Sequence, residues 1–221
     1  MQTSKPIAHT SESVLSTNRV LRNTYALLSA TLLFSAVMAA VSMAINPPAF
    51  MSLVSTLGAI GILMFVLPKF ENSATGIGIV FLGTGLLGFG LGPMLNAYMS
   101  LANGSTVVAT AMGGTGAIFL ALSAYVLTTK KNFDFMGGML FVGLIVVFAA
   151  VILNLFIQIP AMSMALSGAI ILLMSGFILF DTSRIINGGE TNYIRATVSM
   201  FLNIFNIFTS LLHLLGIMSD D

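Results

Sequence analysis

The charged residues of the chain fall into short clusters that separate four long uncharged blocks. Residues 23–68, 72–129, 135–180 and 196–219 contain no Lys, Arg, Asp or Glu. A helix needs about 20 apolar residues to cross a bilayer, so each of the first three blocks is long enough for two helices and the last for one. The pattern therefore predicts seven membrane-spanning helices.

Each of the three longer blocks is interrupted near its middle by residues that end helices. The interruptions are residues 46–48 (Asn-Pro-Pro), 101–105 (Leu-Ala-Asn-Gly-Ser) and 158–160 (Gln-Ile-Pro). Pro and Asn-Gly clusters stop a helix and favour a turn. We therefore predict an all-α fold, a seven-helix transmembrane bundle. Its helices are expected at residues 23–45, 49–68, 76–99, 106–127, 135–157, 161–186 and 196–217.

The basic residues predict how the bundle is oriented. They precede the first helix or lie in alternate connections, at Lys5, Arg19, Arg22, Lys69, Lys130, Lys131, Arg184 and Arg195. Connections rich in Lys and Arg stay on the cytoplasmic side, so the N-terminus is predicted to be cytoplasmic and the C-terminus periplasmic. This divides the chain into a polar cytoplasmic tail (1–22), a membrane domain (23–217) and a short acidic tail (218–221).

Composition supports a membrane protein and excludes several other classes. The chain is 57% hydrophobic and 7% charged, whereas soluble proteins have about 25% charged residues. The lipid bilayer is therefore the predicted environment. The net charge of +1 without a basic patch argues against nucleic-acid binding. The absence of cysteine excludes disulfides, thiolate metal ligands and cysteine nucleophiles.

Small residues predict which helix lies at the centre. Seven glycines fall in the third helix, and Gly88 and Gly92 are spaced as a small-xxx-small pair. Helices in lipid associate through close backbone contact at such residues. We therefore expect the third helix to contact several neighbours.

The seventh helix carries a polar stripe that calls for an explanation. Its members are Ser199, Asn203, Asn206, Ser210 and His213. Their spacing of three or four residues places them on one helix face. Two interpretations remain open: hydrogen bonds between helices, or the wall of a hydrated path across the membrane. Asn96, Asn154 and Gln158 are predicted at the level of His213, near the non-cytoplasmic helix ends.

Asp181 is the acid predicted to lie within a membrane helix. Helical rise places it about 8 Å before the end of the sixth helix, and Asn203 about 10 Å into the antiparallel seventh. The two side chains are therefore expected at the same depth. Arg184, three residues later, offers the alternative of an ordinary ion pair. An ionisable group at this depth is a candidate ion or proton site.

Catalysis is not predicted. The sequence contains no Gly-x-Ser-x-Gly motif, and His9 and His213 are the histidines available as a base. The uncharged blocks also lack the second acid that a two-aspartate protease requires. We expect a protein that is not an enzyme.

Four segments resemble a known family. Residues 180–186 (Phe-Asp-Thr-Ser-Arg-Ile-Ile) and 201–208 (Phe-Leu-Asn-Ile-Phe-Asn-Ile-Phe) resemble the two-helix signature of the Bax inhibitor (TMBIM) family. Residues 20–25 and 188–197 are more particularly similar to its bacterial YccA-like branch. The resemblance covers nearly the whole chain. It implies a multi-pass protein of a bacterial inner (plasma) membrane.

The resemblance implies two alternative functions. The YccA-like branch implies a modulator of the membrane protease FtsH, which would then be a partner. The wider family implies a pH-sensitive calcium or proton leak channel with two membrane aspartates. Asp181 matches the first aspartate and Asn203 the second, so one carboxylate of the pair is missing. A single carboxylate attracts calcium less than a pair does, and no other cofactor is implied.

Overall fold

The described part of the chain is entirely helical. The computed structural model describes the backbone of residues 8–219 and the side chains of residues 19–219, and this part contains no strand. It has seven helices long and apolar enough to cross a membrane, which confirms the predicted fold class. They are α1 (Ala8–Ile45), α2 (Phe50–Phe70), α3 (Ala74–Met99), α4 (Gly104–Thr129), α5 (Gly137–Ile157), α6 (Pro160–Ile186) and α7 (Tyr193–Ser219).

The first helix begins earlier than the sequence pattern indicated. The expected boundary was residue 23, whereas α1 is continuous from Ala8, with its membrane-spanning part at Arg19–Ile45. No Pro or Gly between residues 8 and 22 ends the helix. Residues 1–7 of the predicted polar tail lie outside the described residues. Of the predicted acidic tail, residues 220–221 also lie outside them, and α7 continues to Ser219.

The predicted interruptions become tight turns. Asn46, directly after α1, and Gln158, directly after α5, adopt left-handed backbone conformations with φ of 50° and 56°. Asn tolerates this region better than most residues. Pro160 then begins α6, where its missing N–H costs no helical hydrogen bond. The chain therefore reverses direction at these points within a few residues.

Helices α3 and α7 form the centre of the bundle. In each of them, 44% of the most apolar 18-residue stretch is buried inside the bundle, compared with 6% in α5. Helices α1 and α2 pack on α3, while α1, α4 and α6 pack on α7. Helix α5 packs mainly on α6. The predicted central position of the third helix is confirmed, and α7 shares it.

The glycine pair of α3 forms a close contact with α1. A Cβ atom added to Gly88 would collide with the Ser35 carbonyl oxygen, and one added to Gly92 would collide with Ser42. Only glycine allows the two backbones to approach this closely. The small-xxx-small pair therefore fixes the α1–α3 interface, the most extensive in the bundle.

Candidate functional site

Two ends of the bundle are distinguished by their charges. The basic end carries Arg19, Lys69, Lys130, Lys131, Arg184 and Arg195. The opposite end carries the turns at residues 46–49, 100–103 and 158–159. The assignment of the basic end to the cytoplasm stays a prediction.

Asp181 contacts the polar stripe of α7 near the basic end. Its Oδ2 atom accepts a hydrogen bond of 2.6 Å from Ser199 Oγ and one of 2.8 Å from Asn203 Nδ2. Asn203 is buried, whereas Asp181 and Ser199 are half-buried. Asp181 and Asn203, which were expected at the same depth, are therefore in contact. Whether Asp181 serves as an ion or proton site or as a gate stays a prediction.

The arrangement favours one carboxylate held by neutral donors. Hydrogen bonds to a carboxylate are shorter and stronger than bonds between neutral groups. The other oxygen, Oδ1, accepts no hydrogen bond from the residues whose side chains are described. Within the same residues, no group of three or more His, Asp or Glu side chains could hold a metal ion. The site can therefore stabilise a half-buried carboxylate, and one of its oxygens is available to a ligand or water.

Arg184 does not form the ion pair with Asp181 that its position allows. Its Nη2 atom donates a 2.9 Å hydrogen bond to the Gly189 carbonyl, and its guanidinium lies 5.5 Å from the centre of the Phe180 ring. The arginine thus closes the turn that follows α6. The simple ion-pair interpretation does not account for Asp181.

The remaining polar residues of α7 do not extend the Asp181 contact. Asn206 Nδ2 donates a 2.8 Å hydrogen bond to Leu202 O in its own helix. Ser210 is buried. His213 Nδ1 lies 3.0 Å from Ser167 Oγ on α6. Polar contacts between α6 and α7 are therefore found at the two ends of the stripe.

An apolar cluster lies between these two ends. Met174 and Ile178 of α6 pack with Ile207 of α7, and we call these three residues the central apolar cluster. Met174 lies seven residues from both Asp181 and Ser167, which is about 10 Å in each direction. The cluster lies between the two polar contacts along α6. Whether the stripe forms the wall of a hydrated path stays a prediction.

The opposite end contains a cavity beside His213. Its volume is about 390 Å³. Asn154 Nδ2 donates a 2.7 Å hydrogen bond to Ser163 Oγ, and its Oδ1 accepts one of 3.3 Å from the Ile159 N–H. The cavity is lined by Asn154, Leu155, Gln158, Pro160, Ser163, His213 and Ile217. The structure thus brings together His213, Asn154 and Gln158, as predicted.

Asn96 does not join this cavity. Its Nδ2 atom donates hydrogen bonds to the Met43 carbonyl (3.1 Å) and to Asn46 Oδ1 (3.0 Å). Helix α3 does approach α7 at this depth, since a Cβ added to Gly216 would collide with the Tyr98 ring. The Asn96 side chain, however, points towards α1, where it closes the α1–α2 turn. Asn96 therefore lies near the non-cytoplasmic helix ends, as predicted, but it contacts α1 and not His213.

Sequence reasoning missed the two serines of α6 that complete these contacts. Ser163 binds Asn154, and Ser167 binds His213. Their spacing of four residues places both on one face of α6 and could have identified them.

A second missed feature joins two loops at the basic end. Asn192 Nδ2 donates to the Glu71 carbonyl (3.0 Å) and to Asn72 Oδ1 (2.9 Å). Arg195 lies 3.7 Å from Glu71 and 3.2 Å from Glu190. Asn192 also caps α7, since its Oδ1 accepts the Ile194 N–H at 2.9 Å. An Asn shortly before a helix was the available signal.

The seven helices and the buried polar contacts define a multi-pass α-helical membrane protein. A family model described as "Inhibitor of apoptosis-promoting Bax1" matches residues 17–220. The chain therefore belongs to the Bax inhibitor family. The predicted resemblance is confirmed.

Individual relatives match almost the whole chain. An uncharacterized membrane protein of Vibrio cholerae is 54% identical over 210 residues, covering 95% of this chain and 94% of that protein. A protein of Escherichia coli strain K12, named "Modulator of FtsH protease YccA", is 50% identical over 214 residues and 97% of each chain. A relative from a second Escherichia coli strain, with the same identity and coverage, is named "Inner membrane protein YccA". The predicted YccA-like branch and inner-membrane location agree with these relatives.

Proposed function

We propose that the protein is a non-enzymatic modulator of FtsH-type proteolysis in a bacterial inner membrane. The observation that carries the proposal is the 50% identity, over 97% of both chains, to the Escherichia coli modulator of FtsH protease. Identity at this level over full length supports a shared partner. The proposal requires no catalytic group, since a competing client of the protease needs only to engage it and resist extraction.

Two features of the bundle suit such a client. The close contact of Gly88 and Gly92 with α1 gives the first helix an extensive interface. The polar residues before Arg19 precede the membrane-spanning part of that helix and, in the predicted orientation, lie on the cytoplasmic side. A protease that grips this segment would have to pull α1 away from α3 and α7 first. The protein would then occupy the protease for longer than a loosely packed client does.

The test is to remove residues 2–18 and to follow FtsH activity in cells. Deletion should stop there because Val20 and Leu21 pack against the core. We expect the full chain to slow degradation of a second membrane client, and the truncated chain to lose that effect. The matched control replaces residues 2–18 with a Gly-Ser segment of the same length, which separates the effect of sequence from that of length. Membrane levels of each variant are measured in cells without FtsH.

The tail hypothesis fails if the truncated chain protects the client as well as the full chain does. If the Gly-Ser variant protects and the truncated chain does not, length rather than sequence forms the handle. If the full chain also leaves the client unprotected, the modulator function itself is wrong.

A cation or proton leak at Asp181 is the second candidate. The observation that favours it is the carboxylate held by Ser199 and Asn203 inside the bundle, with Oδ1 free of donors from the described residues. Conduction would require a path past the central apolar cluster, which lies between this site and the opposite end along α6.

Reconstituted liposomes with calcium- or pH-sensitive dye test the leak. Asp181→Asn keeps the shape of the side chain and removes its charge, so flux and its pH dependence should fall. Asn203→Asp restores a second carboxylate, and two coupled acids should steepen the pH response. Flux that neither substitution alters would rule out Asp181 as the gate.

A further inference from the structure

The cavity at the opposite end is independent of the proposed function and has the features of a ligand site. It combines polar groups from α5, α6 and α7 with the apolar side chains of Leu155, Pro160 and Ile217. It lies at the ends of membrane-spanning helices, the depth at which lipid head groups meet hydrocarbon. Such a site faces both a polar and an apolar phase.

The hydrogen bonds of Ser167 indicate which ring nitrogen of His213 is a hydrogen-bond acceptor in this cavity. Ser167 Oγ lies 3.0 Å from the Ser163 carbonyl and 3.0 Å from His213 Nδ1. A hydroxyl has one hydrogen, and a serine in a helix commonly donates it to the carbonyl four residues earlier. The Ser167 oxygen must then accept the hydrogen of His213 Nδ1. The other ring nitrogen, Nε2, is left as an acceptor.

The polar groups of the cavity differ in whether they already have hydrogen-bond partners in the protein. Asn154 is occupied by Ser163 and by the Ile159 N–H. Gln158 is exposed, and its Nε2 makes a long contact of 3.4 Å with Leu155 O in the preceding turn. His213 Nε2 has no hydrogen-bond partner among the residues whose side chains are described. An acceptor on His213 and an amide on Gln158 are therefore available to a ligand.

We propose that this cavity binds the head group of a zwitterionic phospholipid, with its ammonium at His213 Nε2 and its phosphate at the Gln158 amide. No Lys, Arg, Asp or Glu occurs among its lining residues, so an anionic head group would find no counter-charge. A zwitterionic head group carries both charges itself. The exposed side chains of Phe156 and Ile157 at the end of α5 offer an apolar surface to an acyl chain.

The ammonium contact is tested with head groups in which N–H donors are replaced one by one with methyl groups. Phosphatidylethanolamine, its N-methyl and N,N-dimethyl derivatives and phosphatidylcholine keep the same net charge and lose the donors in steps. Retention of each lipid by the purified full chain is measured by native mass spectrometry. We expect retention to weaken about fivefold across the series, which is the effect of one hydrogen bond.

Two variants test whether His213 causes the preference for head groups with more N–H donors. His213→Phe keeps a ring without nitrogen and should retain all four lipids equally. Ser100→Ala is the matched control, because Ser100 is exposed at the same end and lies outside the cavity. It should keep the preference of the unaltered chain. Equal retention of all four lipids by the unaltered chain would overturn the proposal, as would the same preference in His213→Phe.

The imidazole can also be observed without altering the cavity. The chain has two histidines, so in His9→Gln all imidazole nitrogen-15 signals come from His213. In phosphatidylethanolamine we expect the Nδ1-protonated form, and the Nε2 resonance should move when phosphatidylcholine replaces that lipid. A ring protonated on Nε2 alone, or an Nε2 resonance identical in both lipids, would contradict the acceptor role.

Discussion

The Asp181 site and the His213 cavity lie on the same helix pair, yet they use polar groups in different ways. Asp181 is held by two donors of α7, and the buried amide of Asn203 depends on it. His213 contacts one serine and opens onto a cavity. The first arrangement joins two helices, whereas the second leaves groups available for a ligand.

The difference shows that the residues of one polar stripe can take part in different kinds of contact. The stripe of α7 is continuous in sequence, but α6 presents Met174 and Ile178 to its middle. The facing helix therefore decides which parts of the stripe become polar contacts. Two separate sites result, about 20 Å apart along α6 by helical rise.

The largest expected effect is the loss of stability on replacing Asp181 by Leu. This change leaves the buried Asn203 amide and the Ser199 hydroxyl without their acceptor, at a cost of about 2 kcal/mol. Unfolding in mixed micelles of mild detergent and dodecyl sulfate measures it. Asp181→Asn retains an acceptor oxygen and is the matched control with a smaller loss. Equal stability of Asp181→Leu and the unaltered chain would show that the contact does not join the helices.

An intermediate effect is expected from Ile207→Thr, which places a hydroxyl in the central apolar cluster. If that cluster separates the two sites, cation or proton flux in liposomes should rise severalfold. Ile204→Thr makes the same change at another buried position, in a different cluster, and should leave flux unaltered. Equal flux in the two variants would show that the cluster is not the barrier.

The smallest effect is expected from His213→Phe on stability. Ser167 keeps its hydrogen bond to the Ser163 carbonyl, so the loss should be about 0.6 kcal/mol, typical of one polar contact between membrane helices. The same detergent unfolding measures it beside Asp181→Leu. A loss as large as that of Asp181→Leu would remove the distinction between a structural site and a ligand site.

The sequence was sufficient for the helix count and for one contact of the site. Charged residues are excluded from the hydrocarbon, so the lengths of the uncharged blocks give the number of membrane-spanning helices. Asn46 and Gln158 mark two of the turns at which the chain reverses direction. For the Asp181–Asn203 contact, helical rise gave the equal depth of the two residues, because two antiparallel helices joined by a short turn place them at the same level.

The remaining contacts depended on which helix faces pack against each other. The sequence does not show this for a helix surrounded by lipid. In a membrane, the helix faces that contact lipid and those that contact other helices are both apolar. The residue types of Met174 and Ile178 therefore do not indicate that these side chains face α7. The same ambiguity hid the direction of Asn96, which reaches α1. Arg184 could not be assigned either, since the Gly189 carbonyl that it binds depends on the conformation of the following turn.

The uneven width of the helix interfaces has a mechanical consequence. The two widest join α1 to α3 and α6 to α7, so the first and the last helix of the bundle each take part in one of them. Helix α5, held mainly by α6, lies far from both in sequence. A motor that pulls from either end of the chain would therefore have to break one of these two interfaces before it reaches α5.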